Sequence, residues 1–175
     1  PVFERWTRRV QILPVDGIEN VLTATVTHLS HEMRWAYVVR RAHDMRLSPA
    51  ERRRLNAEQF GRLEAGHEFF VSCMSGLEDG DELDPDDGPW SVRLVDDRGR
   101  QAAPVEVAEE REPAASDIKY FGFDPVHRRA YRILFPLEAD DGRSLLGPET
   151  RSYSLRFSSP FGQGDVEYLV GGPVE

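Results

Sequence analysis

The stretch LEDGDELDPDDG, Leu77 to Gly88, packs aspartates and glutamates between two glycines and around a proline. Such a stretch offers hard-cation chemistry, because calcium takes about six to eight oxygen ligands. Asp79, Asp81, Asp84 and Asp86 are the candidate calcium ligands. The EF-hand template does not fit them: started at Asp79, it puts Leu83 at the third ligand, Asp84 at the glycine and Trp90 at the bidentate glutamate. The same residues suit a tight turn before a strand, since aspartate accepts backbone hydrogen bonds there and glycine permits positive φ. A solvated turn is the leading expectation, with calcium binding and docking of a basic protein as alternatives.

His28, His31 and Glu32 form a second candidate, at a spacing close to that of zinc hydrolases. A zincin requires His-Glu-x-x-His, and Trp35 stands where the second histidine belongs. The reversed motif fails as well, because the order here is His-x-x-His-Glu. His28 is expected to end a strand and His31 to start a helix. Nucleophile chemistry is also poorly supplied. There is no Gly-x-Ser-x-Gly elbow, and Cys73, the single cysteine, sits in an apolar run that raises a thiol pKa. Gly162-Gln163-Gly164 lacks the third glycine of a phosphate loop and leads into a strand pattern. No catalytic residue is assigned, and the chain is read as non-enzymatic.

Charge carries more information. The chain has 175 residues, 39% of them hydrophobic, enough for one packed core, and a formal charge of -9. That balance disfavours nucleic acid and anionic membrane surfaces, which require a concentrated positive face. Lys119 is the only lysine, so the cations are nearly all arginine forks suited to bidentate pairing with carboxylates. Arginines concentrate between residues 30 and 65 in excess over acids. Either they pair across the fold with acidic neighbours, or Arg40, Arg41, Arg52, Arg53 and Arg54 face a partner, an anionic one in the sharper version. One cysteine excludes an intrachain disulfide, and no apolar run approaches the ~20 residues of a membrane helix. The chain opens Pro1-Val2-Phe3 without an initiator methionine, as expected of a processed product.

The elements that must position these residues follow from periodicity. Period-two alternation predicts strands at Trp6 to Ile12 and Leu22 to Thr27, joined by a turn at Pro14-Val15-Asp16-Gly17. Ser30 then caps a helix reaching Leu47, with Trp35, Val38, Val39, Ala42 and Met45 as its apolar stripe. Ser48-Pro49-Ala50-Glu51 is a capping box opening a second, superficial helix toward Leu63 or Glu64. Glu68 to Met74 reads as a central strand with Cys73 as a core thiol. Trp90 to Val95 and Pro104 to Ala108 are expected to form a hairpin about Asp96-Asp97-Arg98-Gly99. Further strands are expected at Tyr131 to Phe135, Tyr153 to Phe157 and Val166 to Val170. Tyr120, Phe121 and Phe123 are expected in the core, with a sugar-stacking platform as the alternative.

This pattern predicts a mainly β chain: one antiparallel, immunoglobulin-like β-sandwich domain spanning 1–175, with a two-helix insertion at about 30–65. A small β-barrel is the alternative. The segments ERWTRRVQI, NVLTATVTHLSHEMRWAY, GPWSVRLVDDRGR, YFGFDPVHRRAYRILFP and LRFSSPFGQGDVEYLV resemble a group of uncharacterised bacterial envelope lipoproteins. The resemblance spans most of the chain and rests on strand texture. It implies a β-rich domain at the cell envelope or in the periplasm, anchored by a lipidated cysteine upstream of the folded part. The expected function is therefore non-catalytic, binding an unidentified protein or supporting an assembly, with no cofactor. The alternative is a divalent-ion-dependent carbohydrate-binding module or enzyme that uses the acidic loop.

Overall fold

The computed structural model describes residues 2–14, 20–124, 126–127 and 129–170. A short helix α1 (Val2–Trp6) leads into β1 (Thr7–Ile12), which pairs antiparallel with β2 (Leu22–His28). Trp6, expected in the first strand, closes α1 instead. Of the turn expected between these strands, residues 15–17 lie outside the described residues. Helices α2 (His31–Asp44) and α3 (Pro49–Gly61) and a 3-10 turn at Arg62–Glu64 then precede β3 (His67–Met74). The remainder is β4 (Ser91–Asp96), β5 (Gln101–Ala102), β6 (Glu106–Glu109), α4 (Ala115–Tyr120), β7 (Arg129–Phe135), β8 (Ser152–Ser159) and β9 (Gly162–Leu169).

The strands form two antiparallel sheets, one ordered β1-β2-β3-β7-β6 and the other β5-β4-β8-β9. Alternation decides which side chains meet. Leu22, Ala24 and Val26 of β2, Phe69, Val71 and Cys73 of β3 and Tyr131, Ile133 and Phe135 of β7 point from the first sheet to Leu94, Tyr153, Leu155, Phe157 and Tyr168 of the second. Each fully buried phenylalanine or leucine contributes roughly 1.5–3 kcal/mol. Strand β3 is third of five and buried on both faces, because Phe70 on its other side meets the helices. That accounts for its nearly uninterrupted apolar run.

The barrel alternative does not hold. Gly162 and Gly164 let β9 press against Ile12, where an added Cβ would lie 2.9 Å from its side chain, and the Tyr168 hydroxyl donates to the Val26 carbonyl at 3.0 Å. Among the described residues no ladder of backbone pairs joins the sheets at that seam, and they remain two layers. The expected hairpin is also corrected. Its turn forms, with Gly99 at φ +77° and the Asp96 carboxylate accepting from the Arg98 and Arg100 amides, but the strand that pairs with β4 is β5. Residues near Pro104 to Ala108 enter β6, which pairs with β7 in the other sheet.

The helices cover the outer face of the first sheet. Ser30 caps α2 by accepting from the Met33 amide, and Ser48 and Glu51 complete the capping box on α3. The buried side of α2 is Met33, Arg34, Tyr37 and Val38. Trp35, Val39 and Met45, expected in its core stripe, are 50%, 41% and 64% exposed. The reason is polar: Arg34, fully buried, donates to the Gln59 side chain at 3.0 Å and pairs with buried Glu68 of β3, and since adjacent helical residues lie about 100° apart, seating Arg34 inward leaves Trp35 on the flank. Among the described residues no helix is long and apolar enough to cross a membrane.

Candidate functional site

The site with most to offer a ligand lies where α2 meets α3. Helix α2 ends in a Schellman cap: the Leu47 amide donates to the Ala42 carbonyl at 2.9 Å and the Arg46 amide to that of His43 at 3.2 Å. The cap requires a left-handed residue after the helix, and Arg46 fills that position with φ +50° where glycine is usual. The cap tucks Leu47 against the helical core and leaves Met45 exposed. Pro49, Arg52, Arg53 and Asn56 share one face of α3 by their i, i+3, i+4, i+7 spacing. With Trp35 and Leu47 they line a groove of ≈ 650 Å³. Trp35 is steadied by an edge contact with Phe60, ring centroids 6.3 Å apart, and remains half open to solvent.

The arginines here are free. Among the described residues, Arg46, Arg52 and Arg53 engage no hydrogen bond or ion pair through their side chains. Elsewhere arginines are neutralised locally, as in Arg93 with Asp140, Arg98 with Glu149 and Arg156 with Asp165. Glu51, in the first turn of α3, accepts from the Ser48 amide and hydroxyl, and those bonds hold its carboxyl below the usual range. Of the arginines singled out from sequence, Arg52 and Arg53 line the groove and Arg54 stands beside Glu51. Arg40 and Arg41 are otherwise engaged: Arg40 with Asp44, Arg41 with the Tyr37 hydroxyl and ring.

A second groove, of ≈ 440 Å³, flanks the other side of α2 and is lined by Phe3, Met33, Tyr37, Arg40, Lys119 and Tyr120 among others. Its polar rim closes on itself, since Asp44 accepts from Lys119 at 2.8 Å, Tyr120 at 2.8 Å and Arg40 at 3.1 Å. Those donors, Lys119 first, hold the Asp44 carboxyl far below its ordinary range.

The acidic loop is organised around a cation already in the chain. The Arg129 guanidinium lies 3.6 Å from Asp79 and 3.4 Å from Asp81 and pairs closely with Glu82. Asp84 accepts from the Asp86 amide at 2.9 Å, and its own carbonyl accepts from Gly88 at 2.7 Å. Asp79, Asp81, Asp84 and Asp86 are thus divided between an ion pair and a turn. Among the described residues no group of three or more His, Cys, Asp or Glu side chains is arranged to hold a metal ion.

His28, His31 and Glu32 are separated. His28 ends β2 between the two sheets, stacked on Phe69 with centroids 4.5 Å apart and hydrogen-bonded to the Tyr153 hydroxyl. Burial, then the neighbouring His67 and Arg34, pulls its pKa well down. His31 packs on Phe60, and Glu32 binds Arg5 and the Trp6 indole. Phe121 is core, with Tyr120 and Phe123 packed against it.

One constellation had no sequence signature. Ser72 Oγ lies 2.8 Å from His127 Nδ1, and Asp124 Oδ2 lies 3.8 Å from His127 Nε2. These are the residue types of a hydrolase triad, yet Ser72 is fully buried in the central strand, where no carbonyl carbon can reach its hydroxyl. The set ties the loop before β7 to β3. Cys73 is likewise sealed, and burial pushes its thiol far above the usual range.

No family model, curated protein or solved structure matches the chain.

Proposed function

We propose that this chain is a non-catalytic, immunoglobulin-like β-sandwich of the bacterial cell envelope whose α2–α3 face docks a protein partner. The observation that carries the reading is the groove that joins half-exposed Trp35, Leu47 and Pro49 to Arg52 and Arg53, two guanidiniums without a partner among the described residues. Tryptophan and arginine dominate the energetics of protein interfaces, and clustered apolar exposure rimmed by polar groups marks a contact surface.

Strand order supports the immunoglobulin-like part. The run β2-β3-β7-β6 has the A-B-E-D order and β4-β8-β9 the C-F-G order, with β5 added beside the C position and β1 beside A. Buried Trp90, at the entry to the C position, packs on Phe157 in the F position. The envelope placement rests on the segment resemblance, and the reading needs no cofactor.

The test is site-specific photocrosslinking in the producing cell, with the reactive side chain at Met45 in one variant and at exposed Gln163 of β9 in another. A discrete adduct from position 45, absent from 163 and abolished by Arg52→Glu with Arg53→Glu, is expected. Adducts of equal intensity from both positions, or none from 45, would refute the reading.

A further inference from the structure

We infer that the partner presents to the α2–α3 groove an acidic, amphipathic segment, seating an apolar side chain on Trp35 and Leu47 and carboxylates on Arg46, Arg52 and Arg53; this rests on the docking reading above. The charge of the corner leads there. Arg46, Arg52 and Arg53 engage no acid through their side chains among the described residues, and Glu51, in the first turn of α3, already accepts from the Ser48 amide and hydroxyl. Each free guanidinium is a planar fork matched to a carboxylate.

Shape adds the second requirement. The wall and floor supplied by Trp35, Leu47 and Pro49 are apolar, and the arginines stand along one side, so a purely acidic strand would leave the apolar part wet. A segment with an apolar and an acidic face satisfies both, the usual condition for a peptide laid in a groove. The chain's overall charge of -9 argues for this occupant over an anionic lipid surface. A planar bilayer would bring the acidic remainder close to like charge, whereas a narrow peptide meets only the basic corner.

The experiment titrates the full chain with three synthetic peptides of about 16 residues: an amphipathic Glu/Leu helix, the same peptide with Leu replaced by Ser, and the same with Glu replaced by Lys. Anisotropy of a fluorescein attached to the peptide reports the contact, so Trp35→Ala does not remove the probe. Saturable binding of the Glu/Leu peptide is expected, weakened at least about tenfold by either peptide change, by Trp35→Ala or by Arg52→Glu with Arg53→Glu. The double reversal should transfer preference to the Lys/Leu peptide, and raising salt from roughly 50 to roughly 300 mM should weaken the native pairing. The inference fails if the Glu/Leu peptide does not bind, if the double reversal leaves its affinity unchanged, or if phosphatidylglycerol vesicles bind in its place. A Met45 crosslink that persists while the peptide fails would remove this partner class and leave docking intact. Loss of both would remove both.

Discussion

Arg34 of α2 and Glu68 of β3 form an ion pair whose side chains are 1% and 4% exposed, and through it the helical layer is pinned to the first sheet. Glu68 also takes Arg132 at 3.1 Å and Arg62 at 3.3 Å. Burial alone would raise its carboxyl pKa; the three guanidiniums, Arg34 first, outweigh burial and hold it below the usual value. The groove at α2–α3 exists because this pin sets the face that α2 shows to solvent.

Glu68→Gln leaves Arg34 buried without a counter-charge. Removing one partner of such a pair costs about 3–5 kcal/mol. Urea unfolding at neutral pH should show a loss of that size, and Arg34→Met combined with Glu68→Leu should recover most of it. A loss under about 1 kcal/mol for the single change would place the pair among contacts of surface strength and remove its pinning role.

Acid should weaken the fold through histidines before carboxylates. Burial lowers His67 to about 4 and also pulls His28 well below its ordinary value. Between about pH 6.5 and 4 the unfolded chain therefore binds protons that the native chain does not, so stability falls as pH falls through that window. His67 alone contributes roughly 3 kcal/mol across it. Asp44 and Glu68, whose pKa values are depressed, lose their contributions only below the ordinary carboxylate range. Unfolding midpoints measured at several pH values in the window should slope upward with pH, and His67→Gln should flatten the slope. An unchanged slope in the variant would show that His67 is not the group being titrated.

What was legible in the sequence was local. The Ser30 cap, the Ser48–Glu51 box and the alternation of β2 and β8 act over a few residues, and each formed as read. The exposed face of α2 was misread because its apolar residues fit two stripes. The choice between them was made by Arg34, whose partner Glu68 is 34 positions away. Residues 106–108 joined the other sheet for the same reason, since register with β7 is a long-range pairing. The arginine excess was visible and its division was not: only the fold shows Arg40 and Arg41 engaged and Arg52 and Arg53 free. Likewise the acidic loop gave no hint of Arg129, 47 positions beyond Glu82.

That arginine supplies a test of the acidic loop. With Arg129 among Asp79, Asp81 and Glu82, the melting midpoint should be equal in excess EDTA and in millimolar calcium. Arg129→Met should destabilise the protein by about 1–3 kcal/mol, since the largely buried Asp81 and Glu82 carboxylates lose their donor. A calcium-specific rise in wild type that disappears with Asp81→Asn and Asp84→Asn would overturn this arrangement and restore the loop as a cation site.

The last prediction separates stability from binding at one residue. Arg46 holds a left-handed conformation, φ +50°, that costs a side-chain-bearing residue about 1–2 kcal/mol, and the Schellman bonds keep it there. Glycine removes that strain and adds about 0.5–1 kcal/mol of unfolded-state entropy, so Arg46→Gly should stabilise the fold by up to about 1 kcal/mol. The variant should melt higher and bind the Glu/Leu peptide more weakly, because an unpaired guanidinium next in sequence to the groove residue Leu47 is gone. Higher stability with unaltered peptide affinity would exclude Arg46 from the docking surface, and lower stability would show that its side chain supports the corner after all.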